Sequence, residues 1–117
     1  MNNLIELHLE RIEELFVSAN TKNFEGVADK VEPILQLVLL ECRSHPEMHH
    51  ELRRCEDLAI ALCSRLSDLE PDEIEIDALR SDALEQLARI RHMIENWTAR
   101  VVRVAHGEAN IENDKGT

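Results

Sequence analysis

The chain has 117 residues, 44% of them hydrophobic and 32% charged, with 24 acidic against 13 basic side chains and a formal net charge of −11. That length fits one domain, the apolar share excludes a wholly disordered chain, and the charge repels nucleic acid and anionic lipid. Tyrosine is absent and Gly and Pro occur three times each, which excludes a sheet protein built on aromatic strands and frequent turns and leaves an all-α chain.

A first helix is expected over Leu4–Ala19. Asn3 is placed to cap it, with Glu6 three residues on, and Ile5, Leu9, Ile12, Leu15, Phe16 and Ala19 recur at helical spacing on one face. The polar run Asn20–Asn23 reads as a turn with Asn23 as the next cap. A second helix then runs from Phe24 to about Arg43, with apolar positions Phe24, Val27, Ala28, Val31, Ile34, Leu35, Val38, Leu39 and Cys42. Pro33 lies inside it, removing one amide and crowding the carbonyl four residues back, so a kink or a break is expected there. Beyond Pro33 the run Ile34–Leu40 is apolar nearly all round, as expected of a segment buried on several sides or facing a partner.

Pro46 opens a third helix at a position that tolerates it. Met48, Leu52, Cys55, Ala59, Leu62, Leu66 and Leu69 alternate steps of four and three, the pattern of near-parallel helix packing. Asp72 is placed to cap a fourth helix, Glu73–Ala105, with the stripe Ile76, Leu79, Ala83, Leu87, Ile90, Ile94, Trp97, Val101 and Val104. The expected architecture is an antiparallel bundle of three to four helices over residues 1–106, with a long C-terminal helix. A polar, disordered tail follows over 107–117. The fourth helix is too long for its neighbours, so it either breaks near Trp97–Thr98 or overhangs them, and the apolar end of an overhang must pack on a second copy or on a partner.

Candidate chemistry is sparse. Cys42, His45, His49 and Cys55 lie close together but lack paired metal-ligand spacing, so the cysteines are expected in the core and the histidines in water; a metal or haem sensor is the alternative. No glycine-flanked serine or phosphate loop is present, and the many carboxylates lie on exposed helix faces. No catalytic residue, metal or cofactor is therefore expected. Arginines enrich the second half of the last helix, but Trp97 is the single tryptophan, too little aromatic surface for a nucleic-acid platform. Three cysteines and an acidic N-terminus without a signal-like apolar run point to the cytoplasm, and no apolar run is long enough for a membrane span.

The opening hairpin, RIEELFVSANTKNFEGVADKVEPILQLV from Arg11 to Val38, resembles the flagellar export chaperones of the FliT type. The likeness lies in a leucine-rich helix, a short turn before an aromatic (Phe24), a second helix of comparable length and two helices after it; Pro33 departs from that pattern. The resemblance implies a small cytosolic bundle that binds the C-terminal segment of a flagellar or type III secretion substrate. An amphipathic substrate segment would lie on the stripe of the second and fourth helices, touching Leu37, Leu40, Ile90, Ile94, Trp97 and Val101. The alternative is a self-associating regulatory or structural bundle, a homodimer seamed by the third and fourth helices.

Overall fold

A computed structural model describes the backbone of residues 3–105 and the side chains of residues 4–97. It contains four helices: α1 (Asn3–Ser18), α2 (Phe24–Glu41), α3 (Met48–Leu66) and α4 (Glu73–Ala105). Among the described residues there is no strand. Each helix runs back along the one before. α1 packs on α2 and α4, and α3 packs on α2 and α4, so α2 and α4 occupy opposite corners of the bundle. The expected 107–117 tail lies outside the described residues.

The apolar stripes of the four helices meet along one axis. Leu9, Ile12 and Phe16 of α1, Val31 and Val38 of α2, Met48, Cys55 and Leu62 of α3, and Ile76, Leu87 and Ile90 of α4 are fully enclosed. The four-and-three spacing of α3 is buried from Met48 to Leu66 and then stops. Leu69, the expected end of that stripe, is wholly exposed, because the helix terminates at Leu66 and the chain turns away. Pro33 sits inside α2, and helix is assigned on both sides of it, so the expected break does not occur. Its ring is exposed, and burial of Val31, Ile34 and Leu35 on the inward face holds the helix together around the missing amide.

The turns carry specific chemistry. Asn23 stands at the start of α2, but its side chain does not cap that helix. Its Oδ1 instead accepts from the Asn20 amide at 2.7 Å and its Nδ2 donates to the Ser18 carbonyl at 2.9 Å. Asn20 answers by accepting from the amides of Lys22 and Asn23. The two asparagines thus close the turn and satisfy an end carbonyl of α1. Asp72 caps α4 as expected, its Oδ1 accepting from the Ile74 and Glu75 amides. Pro46 lies two residues ahead of α3, in the tight turns that lead into it.

Candidate functional site

The bundle brings together some of the residues expected to form a binding stripe and separates others. Leu37 and Leu40 on α2 are about half exposed, at 47% and 57%. Ile90 and Ile94 are not on the surface: they are 0% and 8% exposed, part of the α4 stripe that seals the core. Because α2 and α4 stand at opposite corners, no shared face joins Leu37 and Leu40 to α4. Among the described residues the expected surface therefore loses Ile90 and Ile94 to the core and keeps Leu37 and Leu40 on α2. Trp97 is half-buried against the core, and its ring stacks on His45 with centroids 3.7 Å apart and planes 9° off parallel. It closes the end of the bundle over the α2–α3 turn. The side chain of Val101 lies outside the described residues.

The surface that does gather apolar residues runs between α1 and α2. An open groove of about 560 Å³ is lined by Leu15 of α1 and by Pro33, Ile34 and Leu37 of α2, with Arg11, Glu14, Asp29 and Lys30 among its polar walls. Helical spacing carries the same faces onward: Leu7 lies one turn before Arg11, and Leu40 one turn after Leu37. Leu7 is half exposed like the other two. The antiparallel hairpin places these three leucines toward the same end. Arg11 and Lys30 have no ion pair among the described residues, which leaves both cations open to a ligand in a molecule otherwise dominated by carboxylates. Sequence reasoning missed the α1 side of this groove. The signal was present in Leu4 and Leu7, which sit off the Ile5–Leu9–Ile12–Phe16 stripe and so have no place in the core.

The remaining candidate chemistry is accounted for by packing. Cys42 and Cys55 are buried, which pushes their thiols up to about 11 and about 12, with Glu41 and Glu56 adding to the effect. Thiols held neutral in this way are poor nucleophiles and poor metal ligands. Cys63 Sγ donates to the Phe24 carbonyl at 3.4 Å. Among the described residues no group of three His, Cys, Asp or Glu side chains converges as a metal site. Two arginines of α4, Arg89 and Arg91, face carboxylates of neighbouring helices. Arg91 pairs with Glu6 at 3.1 Å and Glu13 at 2.8 Å, and Arg89 pairs with Glu51 at 2.9 Å. Gln86, buried in the α3–α4 seam, donates to the Glu51 carboxylate and carbonyl. That bond, with help from Arg89, holds the Glu51 carboxyl below the usual carboxylate range. Among the described residues no helix is long and apolar enough to cross a membrane.

These features define a four-helix antiparallel bundle with a solvent-open, partly apolar groove on its first hairpin. In comparisons with known proteins, no family model, curated protein or solved structure matches the chain.

Proposed function

We propose that the protein is a small acidic helical adaptor or chaperone, working in the cytoplasm, whose α1–α2 groove holds an amphipathic segment of a partner protein. The observation that carries this reading is the set of half-exposed leucines, Leu7, Leu37 and Leu40, beside a groove floored by Leu15 and Ile34. An amphipathic helix laid there would cover those side chains with its apolar face and offer its polar flanks to Arg11, Lys30, Glu14 and Asp29. The resemblance of the Arg11–Val38 hairpin to FliT-type chaperones falls on the same two helices and supplies the class of occupant, the C-terminal segment of a flagellar or type III secretion substrate. Binding rather than catalysis is the role assigned, since the titratable groups near the groove lie on open helix faces.

The test is titration of purified protein with C-terminal peptides of secreted flagellar and type III substrates, followed by amide chemical shifts. Binding that perturbs the α1–α2 groove and falls at least tenfold in an L37D/L40D variant supports the proposal. Equal affinity in that variant, or no binding by any such peptide, defeats it.

Self-association is the second reading, favoured by the length of α4. Its 33 residues reach about 50 Å, against 16, 18 and 19 residues in the other helices. Light scattering at micromolar concentration separates the two readings, because a monomer there leaves only the adaptor.

A further inference from the structure

The α3–α4 hairpin ends in a tip that the groove does not use. At this end of the bundle the two hairpins are joined by hydrogen bonds from Cys63 to the Phe24 carbonyl and from Arg80 to carbonyls at the end of α1. The chain between, residues 64–79, carries the tip beyond those bonds. Two large apolar side chains stand on it nearly bare: Leu69 at 101% exposure and Ile74 at 83%. Around them are six carboxylates, Asp68, Glu70, Asp72, Glu73, Glu75 and Asp77, with no Lys or Arg from 66 to 79. Arg65 offsets part of this charge, lying 3.7 Å from Asp68 and 4.0 Å from Glu75.

The tip is also held in shape. Asp72 caps α4 through two amides, Pro71 restricts the turn, and Ser67 Oγ donates to the Ser64 carbonyl at 2.7 Å. A bare leucine on an ordered, capped turn loses little conformational freedom when it is covered, which favours its use as an anchor. Charge decides what covers it. Nucleic acid and anionic lipid are repelled by this surface, and an apolar partner without cations would strand the carboxylates around the contact.

We infer that the α3–α4 tip is a second docking surface, in which Leu69 and Ile74 insert against a cationic amphipathic helix of a partner protein and the surrounding carboxylates pair with its Lys and Arg side chains. This surface is independent of the α1–α2 groove and does not rest on the function proposed for it.

The probe is a synthetic helical peptide of leucine on one face and lysine on the other, with a glutamate-for-lysine version as control, titrated into 15N-labelled protein at 0.15 M salt. The lysine peptide is expected to shift amides 68–77, and the glutamate peptide to leave them unmoved. An L69S/I74S variant, which keeps every charge and removes no core side chain, is expected to bind at least tenfold more weakly. Equal binding by that variant would reduce the contact to charge alone and overturn the inference. Shifts confined to the α1–α2 groove would overturn it too. Without peptide, a concentration-dependent rise in mass that L69S/I74S abolishes would assign the tip to a second copy of the chain instead.

Discussion

Nη1 of Arg80 lies 2.7 Å from the carbonyl oxygen of Phe16, and the same nitrogen donates to the carbonyls of Ala19 at 2.9 Å and Val17 at 3.2 Å. The last carbonyls of a helix have no partner of their own, and here α4 supplies one. The guanidinium therefore closes α1 and ties the first hairpin to the last helix in a single contact. R80M, which keeps much of the aliphatic stem, is expected to lower unfolding free energy by about 2 kcal/mol, the range for charged hydrogen bonds to carbonyls. Urea denaturation checks this; a loss under about 0.5 kcal/mol would show that water serves those carbonyls as well.

Ile90 and Leu40 offer a matched contrast between core and surface. Ile90→Ala empties a fully enclosed site and should cost about 2–5 kcal/mol, whereas Leu40→Ala, at a half-exposed position, should stay within about 1 kcal/mol. Thermal or urea melts of the two variants distinguish them directly. Equal losses would place Ile90 on the surface, as the sequence alone suggested.

That contrast also marks the limit of periodicity as a guide. The all-helical class, the core-facing stripes of α1 and of α3 as far as Leu66, and the cap at Asp72 are legible from spacing, whereas spacing allows three or four helices and leaves the α4 stripe open to either core or partner. Spacing identifies an apolar face but does not say which helix it meets. Two stripes on α2 and α4 looked joinable into one surface, and only the order of packing around the bundle puts those helices at opposite corners. Asn23 was misread for a related reason. Its side chain had two uses within reach, the amides of α2 ahead and the chain of the turn behind, and the partnering asparagine at position 20 decided for the turn. Leu7 carries an unused signal for the groove, because a leucine off the core stripe has no interior to enter.

His8 is an imperfection in the interior. It is 7% exposed, and its Nδ1 is buried without a hydrogen-bond partner among the described residues. A buried polar atom left unpaired costs roughly 1–3 kcal/mol, so His8→Leu should raise stability by about 1 kcal/mol at neutral pH. A calorimetric melt tests it, and a lowered Tm would mean that the ring has a partner in solution.

The buried thiols make the fold sensitive to alkali. Burial keeps Cys42 and Cys55 protonated in the folded chain up to about 11 and about 12, while the ordinary thiol value is 9.0. Their folded-state pKa is raised, so their contribution to stability is complete below about 9 and is lost as pH climbs toward 11 and 12. Unfolding free energy measured from pH 8 to 11 should fall, and Cys55→Ala should flatten that decline while lowering stability at pH 8. An unchanged slope in the variant would assign the decline to other groups.

The buried side-chain amide of Gln86 has a consequence for how the last two helices find their alignment. Leucine stripes repeating every seven residues can slide by one repeat and still present grease to grease, so apolar contact alone leaves several registers close in energy. Gln86 and Arg89 meet Glu51 at one offset, and a slip of seven residues would strand the amide in the interior without its acceptors. The polar clasp thus selects one alignment of α4 from those the hydrophobic seam would accept.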